Sequence, residues 1–213
     1  MGGIENRRFI CRPQLVSDRE FVEFWEGVYP DRKEELYTKN INELRSDGSL
    51  IEKSLRELFR WKFGNWLHKI NEKFIEDNFI AKIGRARGLP LEISAEAFLK
   101  EFPGRKPISR IFWLHCWHPS RFPIYDMHVH RAMVFIQDGR LEELNKWSEQ
   151  KIIDFYLNQY TKFFEPYGKL DLPFDQQRDG IPERKADRAL WTFGKYLKDP
   201  ILSQVTANWI KIK

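Results

Sequence analysis

Between Pro107 and Pro119 the chain reads PISRIFWLHCWHP, a stretch apolar on nearly every side when wound as a helix. Proline sits well in the first turn of a helix, and the second proline ends this one. A helix apolar all round has no face to give to water and must be buried. A chain carrying such a segment therefore has to surround it with other elements.

Those elements read as helices. Ser17 with Glu20 and Ser49 with Glu52 have capping-box spacing, each followed by apolar residues at helical intervals. The first opens a helix with Phe21, Phe24, Trp25 and Val28, closed by Pro30. The second carries Leu55, Leu58, Phe59 and Trp61 up to Gly64. An amphipathic stretch runs from Asn65 towards Ile83, and GRARGLP over 84–90 reads as a basic loop. Ser94 caps AEAFLKEF, Pro103-Gly104 breaks the chain, and Asp126 is placed to cap MHVHRAMVFI, closed by Asp138-Gly139. A helix around Ser148–Phe164, a polar loop and a helix over Glu183–Lys198 follow, and the tail from Ile201 suits a last helix or an edge strand. No alternation of strands and helices supports a parallel sheet, so the expectation is one all-α domain over 1–213, open to division into two small lobes with a cleft near 102–131.

Composition narrows the class. Eight Trp and 17 Phe in 213 residues supply a large core, with some rings available for stacking on a flat ligand. Thirty-six Lys and Arg against 31 Asp and Glu give +5, which is compatible with nucleic acid without requiring it. From Lys82 to Arg110 there are seven basic and three acidic residues, a local +4 that is either a binding face or a solvated one. Two cysteines, Cys11 and Cys116, cannot make a disulfide framework and read as free thiols. No apolar run is long enough to span a bilayer and MGGIENRRFICRPQ has no signal-peptide core, so the expected location is cytoplasmic.

Residues 102–131 read as one unit: a helix end, a Pro-Gly turn, a helix, a loop, then Asp126 at the start of another helix. A tight turn of this kind can direct backbone N–H groups and a helix N-terminus at a phosphate. A carboxylate just beyond can address the sugar of the nucleotide held there.

This unit resembles the core of the helix–hairpin–helix DNA glycosylase superfamily, whose pattern is L-P-G-V-G-x-K-T-A followed by V-D-T-H-V-x-R. Phe102-Pro103-Gly104 matches L-P-G, and Tyr125-Asp126-Met127-His128-Val129-His130-Arg131 matches V-D-T-H-V-x-R, 24 positions separating Phe102 from Asp126. A fainter echo, DRALWTFGKYL from Asp187 to Leu197, is similar to a closing helix in bacterial relatives with an F-P-I-Y-D motif. The chain departs from the pattern at Arg105 and Lys106, which replace the valine and second glycine. Ile108 stands where bifunctional members carry a Schiff-base lysine, with Lys106 the nearest reserve. No four-cysteine cluster follows, so an iron–sulfur site is not expected.

The resemblance implies a helix–hairpin–helix glycosylase-like fold, duplex DNA as partner, no cofactor, and monofunctional release of a damaged or modified base. Asp126 then stabilises the sugar cation or activates the attacking water, while Pro103, Gly104, Arg105, Lys106, Ser109, Arg110, His128 and Arg131 contact DNA. Tyr125, with Trp113 and Trp117, is the candidate platform for an extruded base. Each has a plainer reading. Asp126 can be only a helix cap, Arg131 can pair with an acid, and the two tryptophans belong to a helix that wants burial. His115, Cys116, His118, His128 and His130 fall close together but show no recognised zinc spacing, so no metal is expected. A catalytically silent DNA-binding module and a helical protein-interaction domain remain the alternatives.

Overall fold

A computed structural model of the chain describes residues 18–45, 50–64, 69–119, 121–162 and 184–198. Ser17, Ser49, Trp66, Cys11, the polar loop after 162 and the tail lie outside them. Among the described residues every regular element is helical: α1 (Asp18–Glu26), α2 (Asp31–Arg45), α3 (Ile51–Phe63), α4 (Lys69–Asn78), α5 (Ile83–Arg87), α6 (Ala95–Glu101), α7 (Pro107–Trp117), α8 (Met127–Asp138), α9 (Glu149–Phe155) and α10 (Arg184–Tyr196). Short 3₁₀ turns at Ile80–Lys82 and Leu144–Lys146 and a π-helical turn at Tyr156–Tyr160 complete the set. No described helix is long and apolar enough to cross a membrane.

The all-round apolar helix sits where its composition requires. In α7, Ile111, Phe112, Trp113, Leu114, His115 and Cys116 are all buried. Phe112 meets Phe59 edge-on at 5.4 Å, and Trp113 packs on Phe79 at 5.3 Å and Phe102 at 5.8 Å. Burying aromatic rings of this size is a main source of fold stability. His115 is made compatible with the core by two bonds. Its Nδ1 lies 2.7 Å from the Phe122 carbonyl and its Nε2 2.8 Å from the Tyr37 hydroxyl. The assignment that satisfies both puts the proton on Nδ1 and lets Tyr37 donate to Nε2.

A second layer is built by α1, α8 and α10. Phe21 and Trp25 of α1 meet Phe193 of α10 at 5.3 and 5.1 Å, and Phe135 of α8 meets the same ring at 5.8 Å. The approach of α10 to α8 depends on Gly194. A β-carbon there would stand 1.8 Å from the His128 carbonyl oxygen, so only glycine fits.

One local reading changes. GRARGLP is not a loop throughout, because Ile83–Arg87 forms the short α5, which buries Ala86 and pairs Arg85 with Glu101. Helix α2 lies in a charged stretch, and Tyr37, Ile41 and Leu44 at helical spacing form its buried stripe. The caps at Ser94 and Asp126, and the left-handed close at Gly139 (φ 66°), stand where the sequence puts them, and Ser148 caps the helix expected around it.

Candidate functional site

Asp126, extended at φ −156° and ψ −175°, follows the irregular segment Phe122–Tyr125, and that segment is clamped. The π-helical turn brings Tyr156 and Tyr160 to the same side. Their hydroxyls donate to the carbonyls of Pro123 at 3.2 Å and Ile124 at 3.0 Å. Tyr125 is fully buried, its hydroxyl 2.8 Å from His130 Nδ1. With its two preceding carbonyls and the neighbouring ring fixed, the backbone at Asp126 has little freedom. Its Oδ1 accepts the N–H groups of His128 at 2.8 Å and Val129 at 3.0 Å, capping α8.

The other oxygen is taken by a residue the sequence reading passed over. Lys62, in the last turn of α3, donates to Asp126 Oδ2 at 2.7 Å, with side chains only 5% and 13% exposed. Burial pushes the Asp126 carboxyl up, but the Lys62 charge, the nearby His128 and the bonds from Lys62 and Val129 outweigh it and hold it at about 2. Asp126 is thus a fixed, ionised carboxylate at a helix N-terminus. Lys62 falls seven residues after Leu55 and four after Leu58, on the core-facing stripe of α3. That polar interruption of an apolar stripe is the signal that marks it.

Lys62 and Asp126 line a narrow hole with Tyr29, Lys33, Trp61, Ile124, Arg184, Asp187 and Trp191. Its volume is about 20 Å³, room for about one water. Arg184 enters from α10, donating to Glu34 of α2 at 2.8 Å and to Asp187, and lying 4.3 Å over the Tyr37 ring. Burial pulls its pKa down, but Asp187 and Glu34 outweigh that and leave it above its ordinary value. Lys33 lies 4.7 Å over Trp191 and Lys195 5.1 Å over the same ring. Burial first, then the charges of Lys195 and Lys62, lower Lys33.

The hairpin is present as a chain reversal, with Gly104 at φ 147° and Lys106 left-handed at φ 66°. It is braced from within. Arg110 donates to the carbonyls of Phe102 at 2.9 Å and Gly104 at 3.2 Å, and also to that of Leu99. The Lys106 N–H donates to Glu149 Oε1 at 3.3 Å, and Pro107 has no N–H to offer. A carboxylate therefore occupies one of the donors that a phosphate would need. The Lys106 ammonium lies 4.3 Å over Phe74 rather than beside Asp126. Pro103, Gly104 and Arg105 are exposed, whereas Ser109 is buried.

The remaining candidates separate by burial. Arg131 is 1% exposed, donating to Glu143 at 2.7 Å and to the Gly194 carbonyl at 2.8 Å, so it ties α8 to α10 and cannot reach a phosphate. His128 is half-buried, edge-on to Trp191 at 5.5 Å. Trp113 and Tyr125 have no exposed face and are core, so neither can serve as a platform, whereas Trp117 is partly buried and packs edge-on against Trp113 at 5.3 Å. The aromatic rings that do border Asp126 are Trp61, Tyr29 and Trp191. Among the described residues no group of His, Cys, Asp and Glu could hold a metal. Burial pushes the Cys116 thiol well up, away from reactivity.

No family model, curated protein or solved structure matches the chain.

Proposed function

We propose that the protein is a monofunctional DNA N-glycosylase-like hydrolase of the helix–hairpin–helix kind, with Asp126 as its working carboxylate. The observation that carries the reading is the state of Asp126. It caps α8, pairs with Lys62 and is held ionised beside a hole walled by aromatic rings. When a C1′–N bond breaks, its electron pair leaves with the base and positive charge grows on the sugar. A preorganised anion costs nothing to orient at that moment and stabilises the charge as it forms. Water then bonds to C1′ and loses a proton, while the departing base gains one.

The reading carries a requirement. The hole is too small for a nucleotide, so entry of an extruded base has to move Lys33 and Trp191 off the rim. A second reading, a catalytically silent module of the same fold, is favoured by that narrowness and by Glu149 at the hairpin. Base release separates them. With duplexes each carrying one uracil, one oxidised purine or one alkylated purine, the wild type is expected to free a base. Asp126→Asn is expected to lower that by about 100-fold or more with DNA binding retained. Absence of salt-dependent duplex binding would remove both readings.

A further inference from the structure

The cleft holds a second carboxylate that the capping and ion-pair chemistry of Asp126 leaves unexplained. Asp187 belongs to the first turn of α10 and is 5% exposed. Its Oδ2 accepts from Arg184, while its Oδ1, fully enclosed, has no hydrogen-bond partner among the described residues. A buried carboxylate oxygen without a donor costs free energy, so its retention calls for a use. Asp187 and Asp126 line the same hole, whose volume of about 20 Å³ suits a single water. The other polar groups around it are Lys62, Lys33, Arg184 and the Tyr29 hydroxyl, enough to hold that water by two or more bonds.

We infer that Asp187 is the general base of this cleft: when an entering base moves Lys33 and Trp191 off the rim, its enclosed oxygen is opened to a water held against Asp126, accepts a hydrogen bond from it and takes its proton as the water oxygen bonds to an electron-poor carbon. The inference rests on the glycosylase reading and supplies what that reading lacks, a group to activate water. The balance is simple. The water oxygen forms the C1′–O bond, its proton passes to Asp187, the C1′–N pair leaves with the base, and a proton from solvent completes the base. Asp187 returns its proton to solvent, with no oxidant or reductant needed. The two carboxylates divide the work, as neighbouring titrating groups with different environments do.

The environments differ in the required sense. Asp126 is held at about 2, whereas burial pushes Asp187 up to about 6 although Arg184 and Lys62 pull it down; Asp126 and Glu34 add to the rise. From the elements packed around it, Asp187 faces Arg184 on its own helix, Glu34 on α2, Lys62 on α3 and Asp126 before α8. Tyr29, Tyr37, Tyr156 and Tyr160 also feel its charge, and burial keeps all four hydroxyls protonated well above neutrality. A base with a raised pKa accepts a proton more readily and is still ionised at neutral pH.

The test uses the full-length protein and the same lesion-bearing duplexes. Base release by the wild type is expected to rise with pH through a single limb near 6, and that limb moves little with temperature, as carboxylate ionisation does and imidazole ionisation does not. Asp187→Asn should lose about 100-fold in base release, flatten the limb and keep DNA binding. Sodium azide, a nucleophile with no proton to give up, should restore turnover in Asp187→Asn and leave Asp126→Asn inactive. A wild type that releases no base from any duplex overturns the glycosylase reading and the inference with it. A wild type that works while Asp187→Asn keeps its rate or its limb overturns the inference alone. If Asp187→Asn does not fold, Asp187→Glu retains the carboxylate. A limb unmoved by that change, or one with the temperature dependence of an imidazole, overturns the inference equally.

Discussion

The hairpin and the cleft, joined by α7, resolve the same electrostatic problem in opposite ways. At the hairpin, an exposed turn with cations on both sides directs its groups inward: Arg110 onto three carbonyls, and the Lys106 N–H onto Glu149. At the cleft, charges that could have stayed in water are buried, and one carboxylate oxygen has no hydrogen-bond partner among the described residues. Surface groups paired internally make a rigid turn, while buried groups incompletely paired hold chemical potential in place. Both regions fall within or against the segment from Phe102 to Arg131, and the cleft is the one we propose as the working site.

The largest effect should come from Gly194→Ala, since the new methyl meets the His128 carbonyl at 1.8 Å and must force α10 off α8. We expect a loss of about 3 kcal/mol or more. Thermal melting checks it, with a fall on the order of 10 °C expected; a change within experimental error would mean that the two helices do not pack as described.

Next is Lys62→Met. It leaves Asp126 buried with no cation on Oδ2, at a cost of about 3 kcal/mol. Carboxyl-carbon NMR titration should show Asp126 moving up from about 2. Adding Asp126→Asn should recover part of the lost stability in a double-mutant cycle, and strict additivity would deny the coupling.

The pH dependence of stability has two opposed components. Asp126 is depressed in the folded state, so its contribution is present above the ordinary carboxylate range and is lost as pH falls from about 4 towards 2, a matter of about 2 kcal/mol. Asp187 is raised, so the folded state binds its proton first, and stability increases as pH falls from about 6 towards 4. Urea midpoints across that range should therefore rise and then fall. Asp187→Asn should remove the rise and Asp126→Asn should reduce the fall; a monotonic curve for the wild type would contradict the assignment.

The smallest effect sharpens the hairpin side. Glu149→Ala removes the carboxylate that accepts from the Lys106 N–H, and with it a negative charge from the turn. If the hairpin meets a phosphate, duplex affinity should rise by a few-fold at low salt, with a steeper salt dependence. Unchanged affinity measured by fluorescence anisotropy would leave the hairpin as a brace.

Much of the fold was legible because it rests on local chemistry. Pro107, Ser94, Ser148, Asp126 and Gly139 set helix ends through φ preferences and side-chain caps, and the apolar circuit of α7 forced its burial. The same logic found Asp126, since a cap acts within three residues of itself. It could not find Lys62, 64 positions away, or the Arg184–Glu34 pair, 150 positions apart. Nor could it tell that Arg131 turns inward to Glu143 and Gly194 while Trp113 and Tyr125 seal the core. Helix ends and most of the helices follow from interactions between near neighbours along the chain, which the order of residues fixes. Which carboxylate is held ionised, which keeps an oxygen without a partner among the described residues and how large a hole they share depend on the crossing of α3, α8 and α10, which long-range packing sets.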